Sequence, residues 1–98
     1  MGKYLVLWEI DASRLPISRK ERAAGWKALL NFVKEDIKDG FTLDWGGFMG
    51  ELRGFSILEG DDVEINIRLQ RYSPFVHFKL RSITSVEQAE KLIEGMAK

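Results

Sequence analysis

The apolar positions of this chain fall into short alternating runs separated by two long stretches of helical spacing. Lys3 to Glu9 (KYLVLWE) is rich in aromatic and branched residues and reads as a strand. Both of its faces are apolar, Tyr4, Val6 and Trp8 on one and Leu5 and Leu7 on the other, so both must be covered. Asp11 to Ile17, with Pro16 and short polar residues, is an exposed loop. Ser18 and Glu21 then form an S-x-x-E capping box, and Trp26, Leu30, Val33 and Ile37 follow at helical spacing, with Leu29 widening the stripe. Gly25 costs that helix about 1 kcal/mol relative to alanine and is expected to allow close packing on a sheet. Gly40 ends the helix.

Phe41 to Gly60 (FTLDWGGFMGELRGFSILEG) reads as a bulged hairpin around a glycine-rich tip, with Phe48, Met49 and Leu52 more apolar than a free loop prefers. Asp61 to Tyr72 carries two conflicting patterns. Val63, Ile65, Ile67 and Leu69 alternate as in a strand, whereas Asp61 and Glu64 at one end and Arg68 and Arg71 at the other match the charge preference of helix termini. As a helix it would bury Ile65, Leu69 and Tyr72. Phe75 to Ser82 alternates Val76, Phe78 and Leu80 against His77, Lys79 and Arg81, an amphipathic strand with one core face. Thr84 and Glu87 make a second capping box before a stripe of Val86, Ala89, Leu92, Ile93 and Met96.

The resulting order, βαββαβ with an additional C-terminal helix, is a single α+β domain over residues 1–98 with a ferredoxin-like antiparallel sheet. If the first and last strands are neighbours, pairing Trp8 with His77 also pairs Val6 with Lys79 and Tyr4 with Arg81. This assumed register places Leu5 and Leu7 beneath the helices and the aromatic and basic residues on the open face. A face bearing Tyr4, Val6 and Trp8 would be a large apolar patch for a monomer, and pairing two such faces would cover it.

Composition narrows the possible chemistry. The chain of 98 residues is 45% hydrophobic and 31% charged, as in soluble globular domains, and no apolar run approaches the roughly 18 residues of a membrane span. Met1 to Ile10 is too short in its apolar part for a secretory leader and reads as the first strand. The absence of cysteine excludes thiolate chemistry and fits a reducing, cytoplasmic location. Fifteen basic residues balance fifteen acidic ones, so binding to nucleic acid or anionic lipid would need a local patch.

The opening strand KYLVLWEI, the Trp45-Gly46-Gly47-Phe48 hairpin with Gly54-Phe55 beyond it, Arg71-Tyr72-Ser73-Pro74 and Phe75-Val76-His77-Phe78 together resemble short uncharacterised proteins of the dimeric α+β barrel superfamily. The resemblance spans nearly the whole chain. It favours the helix for Asp61 to Tyr72 and implies a homodimer. The superfamily includes cofactor-independent monooxygenases, lactone isomerases, haem-degrading enzymes and stress proteins, so the resemblance selects no activity.

His77, the only histidine, is a candidate base or haem ligand, but no second ligand or orienting partner is identifiable, and packing in a dimer interface accounts for it as well. Glu9, Asp44 and Glu59 are strand-end carboxylates whose spacing brings no two together, so no metal site is expected. The hairpin glycines match neither G-x-x-x-x-G-K nor G-x-G-x-x-G and lead from strand to strand, against a phosphate loop; no motif points to a cofactor. Arg53 to Gly60 (RGFSILEG) opens like an RNA-recognition signature. Ser56 departs from it and Ile57 and Gly60 replace the later stacking aromatics, against RNA binding. The expected function is that of a cytoplasmic homodimer that binds a small aromatic or anionic organic molecule; cofactor-independent catalysis is compatible with this and is neither required nor excluded by the sequence. Its pocket is lined by Trp8, Trp45, Phe55 and His77, with Lys79 or Arg81 supplying charge. The alternative is an interaction module in which the same residues only hold the dimer together.

Overall fold

The computed structural model describes residues 2–98. The elements run β1 (Gly2–Ile10), α1 (Arg19–Lys38), β2 (Thr42–Gly47), β3 (Arg53–Gly60), α2 (Asp62–Gln70), β4 (Val76–Ser82) and α3 (Val86–Met96), with a 3-10 turn at Ala12–Arg14. The four strands form one antiparallel sheet in the order β2-β3-β1-β4. This is the ferredoxin-like arrangement expected of βαββαβ, with α1 and α2 on one face. Asp61 to Tyr72 takes the helical alternative. The Asp61 carboxylate accepts from the Glu64 backbone N–H at 3.0 Å, capping α2, and Ile65 and Tyr72 are buried. No helix of the described residues is long and apolar enough to cross a membrane.

The assumed register of β1 on β4 is off by one residue. Trp8 lies opposite Phe78, Glu9 opposite His77, Leu7 opposite Lys79 and Leu5 opposite Arg81. A shift of one residue exchanges the two faces of a strand. Tyr4, Val6, Trp8 and Ile10 therefore face the helices, and Leu5 and Leu7 lie on the open face, the reverse of the expectation. The physical reason lies at the end of the strand. Ile10 extends the row of Val6 and Trp8 into the core, where all three are buried, whereas Glu9 ends the row of Leu5 and Leu7 and needs solvent.

Two clusters make up the core. Val6, Phe41, Leu58 and Ile65 pack under α2, and Trp8, Ile10, Tyr72 and Val76 pack under α1 against Trp26, Leu29, Phe32 and Val33. The inward stripe of α1 is rotated from the expected one. Asp36 takes the buried position after Val33, and Ile37 is half exposed. Gly25 is exposed, and a Cβ there would meet nothing within 4 Å, so it does not serve close packing on the sheet. The second capping box also moves by one residue: Ser85 accepts from the Gln88 N–H at 3.1 Å while the Gln88 side chain accepts from the Ser85 N–H at 2.9 Å. That helix, α3, leaves its apolar stripe in solvent and stretches the molecule to 61 × 25 × 19 Å. The radius of gyration is accordingly 16.3 Å, against about 13 Å for a compact chain of this length.

The hairpin bulge lies between Thr42 and Asp44, and the tip turns at Gly50, whose φ of +77° favours glycine. Gly54 serves a different purpose. The ring of Trp8 lies across it and the carbonyl of Gly46 approaches its Cα, leaving no room for a side chain. Gly54→Ala is expected to destabilise the domain by about 2 kcal/mol or more through overpacking. A urea titration would register this as a lower midpoint with an unchanged slope.

Candidate functional site on the open sheet face

The six candidate ligand residues divide between the two sides of the sheet. Trp8 and Trp45 lie under α1, stacked at 5.3 Å and 9°, with Trp26 edge-on to Trp8 at 6.5 Å. Trp8 Nε1 donates to the Phe55 carbonyl oxygen at 3.1 Å, so the indole spends its polar atom within the sheet. These two tryptophans are core. Phe55, His77, Lys79 and Arg81 lie on the open face, and the pairing of β3, β1 and β4 arranges them in rows: Ile57, Leu5 and Arg81; Phe55, Leu7 and Lys79; Arg53, Glu9 and His77. Each row crosses three strands and ends on a basic or titratable side chain of β4. The open face is thus apolar along its middle and positive along one edge.

A depression of about 250 Å3 lies at the hairpin end of this face, with Leu7, Phe48, Arg53, His77 and Lys79 among its lining residues. It adjoins a hollow of about 450 Å3 between the hairpin tip and the end of β1, where Glu9, Asp11 and Glu51 supply carboxylates. Arg53 is held between two of these, 3.6 Å from Glu9 and 3.3 Å from Glu51. His77 does have an orienting partner. Its Nε2 is 3.3 Å from Asp11 Oδ2, and Asp11 is itself fixed by the hydroxyl and backbone N–H of Ser13 at 2.6 and 3.0 Å. The Ser13 hydroxyl first, and then His77, hold the Asp11 carboxyl below the usual carboxylate range. With Nε2–H donating to Asp11, Nδ1 keeps its lone pair, and the side chain is 67% exposed. This is a histidine oriented by a carboxylate and open to an incoming molecule, which is what general-base chemistry requires.

A second polar cluster is built around a buried carboxylate. Asp36 is 2% exposed. Its Oδ1 accepts from Arg68 at 2.9 Å and Arg71 at 2.5 Å, and its Oδ2 accepts from the Tyr72 hydroxyl at 3.1 Å. The guanidiniums in turn lie over Phe41 and Phe32, at 4.7 and 5.3 Å from the ring centroids. The sequence-based candidates omit Asp36, although it lies three residues beyond Val33 on the apolar stripe and two arginines recur at a spacing of three on α2. Among the described residues no buried side-chain polar atom lacks a partner, and this cluster acts as a tie between α1 and α2.

Burial, and then the negative charge of Asp36, push the Tyr72 phenol well above its ordinary value. The folded chain therefore holds the Tyr72 proton more tightly than the unfolded chain does. The associated stability is complete below about pH 10 and is lost as pH rises through the unfolded value toward the folded one. Urea midpoints at pH 7 and pH 10.5 are expected to fall more steeply for the native chain than for Tyr72→Phe. The same variant should lose about 1–2 kcal/mol at pH 7, where Asp36 Oδ2 is left without its donor.

Comparison with protein-family models, curated proteins and solved structures gives no match for this chain.

Proposed function

We propose that the chain works as a homodimer of the α+β barrel kind, in which two open sheet faces meet and enclose a small aromatic or anionic organic molecule. The observation that carries this reading is the open face itself. Leu5, Leu7, Phe55 and Ile57 form an apolar field with no helix over it, edged by His77, Lys79 and Arg81. An apolar field of this kind in water is stabilised by a second copy of itself, because a two-fold axis sets one face against its equal. The depression beside Leu7 then becomes a closed chamber with apolar walls and a few convergent polar groups, the usual composition of a small-molecule site. In it Lys79 attracts an anionic group, Phe48 offers a ring face, and His77, oriented by Asp11, is placed to accept a proton from a bound substrate. In such a step Nδ1 takes the proton, the electron pair of the broken bond stays on the substrate as an anion beside Lys79, and the imidazolium is held by Asp11.

Leu7→Arg tests the assembly. Like charge would face like charge across the two-fold axis, so light scattering is expected to show twice the monomer mass for the native chain and the monomer mass for the variant. A monomeric native chain at micromolar concentration overturns the reading.

One observation favours a second reading, an interaction module without catalysis. In α3, Val86, Leu92, Ile93 and Met96 are 60–78% exposed along one stripe, the pattern of a helix that docks on a partner. The two readings diverge at His77→Ala. In the ligand-binding dimer this variant abolishes the melting-temperature shift produced by the bound small molecule and leaves the dimer intact. In the interaction module it alters dimer stability, and no metabolite shifts the melting temperature of either form.

A further inference from the structure

A further cavity lies on the helix side of the sheet and shares Ile10 and Asp11 with the hollow beside His77. It is a cleft of about 320 Å3 between the first half of α1, the loop that leads into it and the segment that enters β4. Leu15, Pro16, Trp26, Leu29, Phe32 and Phe75 make its walls apolar, and Arg14, Arg22 and Arg71 bring guanidiniums to it. Its volume is at the small end of the range of small-molecule sites.

Two observations set this cleft apart from an ordinary surface groove. The first is its charge. Arg71 is neutralised by Asp36 and Glu35, and Asp11, the one carboxylate in the lining, is held by Ser13 and His77. Arg14 and Arg22 have no acidic partner among the described residues. Arg22 gives one N–H to the Ile17 carbonyl at 3.2 Å and keeps the rest of its fork of donors. The second observation is Gly25. Glycine inside a long helix weakens it, and the compensation is normally a close approach by another part of the fold. Here a Cβ would meet nothing within 4 Å, and Gly25 forms part of the cleft lining. The glycine leaves that part of the cleft wall without a side chain.

We infer that this cleft is a binding site for a small monoanionic amphiphile, an organic carboxylate with an apolar body. The apolar part lies across Gly25 between Trp26, Leu29 and Phe75, and the carboxylate pairs with Arg14 and Arg22. A guanidinium fork matches a carboxylate in a bidentate arrangement, and two of them beside an apolar cleft select the anion over an alcohol or an amine of equal length. The site shares only Asp11 and Ile10 with the hollow beside His77, and its anion-pairing residues, Arg14 and Arg22, take no part in the open face.

Calorimetric titration of the native chain with sodium octanoate, octanol and octylamine tests the inference. Octanoate is expected to bind at least tenfold more tightly than the other two. Gly25→Leu fills the cleft while improving the helix, so it should raise the melting temperature of the free protein and weaken octanoate at least tenfold. The Arg14→Gln/Arg22→Gln double variant should weaken octanoate by a similar factor and leave octanol unchanged. Lys79→Ala, on the open face, should leave octanoate affinity as it was. The inference fails if octanol binds as well as octanoate. It also fails if Gly25→Leu binds octanoate like the native chain. Octanoate binding lost in Lys79→Ala and kept in Gly25→Leu would place the anion on the open face, and a change in solution mass in Gly25→Leu with no change in affinity would make the cleft a protein contact. Either of these overturns the inference.

Discussion

The pairing of Trp8 with Phe78 and Glu9 with His77 sets the identity of both faces of the sheet. β1 is hydrogen-bonded to β3 on one side and to β4 on the other, so its register is shared with both. One slip along it would bring Glu9 beneath the helices and turn Trp8 and Ile10 into solvent. The cost of desolvating an unpaired carboxylate, together with the loss of two large apolar side chains from the core, excludes that alternative. The three tryptophans add to the same constraint. Trp8 is stacked on Trp45, set edge-on to Trp26 and laid over Gly54, a position that no other register of β1 on β3 supplies.

What was legible in the sequence follows from this. Element order and the core face of β4 were readable from local periodicity, and the helix at Asp61 to Tyr72 from its end signals against a strand-like alternation. The face assignment of β1 was not readable from its centre, where Tyr4 to Trp8 is apolar on both sides and a period of two cannot choose between them. The signal lay at Glu9 and Ile10. Of the six candidate ligand residues, Trp8 and Trp45 accordingly belong to the core, and Phe55, His77, Lys79 and Arg81 share a face for which they were selected by the wrong register. The carboxylate that orients His77 was hidden for another reason. Asp11 lies 66 positions away in sequence and reaches the ring only through the antiparallel pairing of β1 with β4.

Asp36 is a case in which a local rule is broken and compensated. A carboxylate in the apolar stripe of α1 would be ruinous alone, but two arginines and a phenol from the α2 end of the chain satisfy both of its oxygens. A buried charge network of this kind tolerates few alternative geometries, because each displaced partner leaves a desolvated charge behind. Apolar contacts between the two helices would permit sliding; the Asp36 tie fixes how far α2 lies from α1, and with it the position of the chain that enters β4 at Val76. His77 is the next residue. The buried cluster and the open face are therefore linked through the backbone, although they share no side-chain contact.

The two sides of the sheet leave different surfaces unsatisfied, and the difference indicates what each can accept. On the open face the unsatisfied surface is broad and apolar with a positive edge, and only a comparably broad surface can cover it, as the proposed second copy would. Behind α1 the unsatisfied volume is small and concave, and Arg14, Arg22 and Gly25 all belong to its lining. No second sheet could enter there. Its shape and its charge both call for a ligand of a few hundred Å3 at most, one end of which is an anion. The shallow helix wall at Gly25 and the two arginines lie around the same apolar cleft, and an anionic occupant with an apolar body would use all three at once.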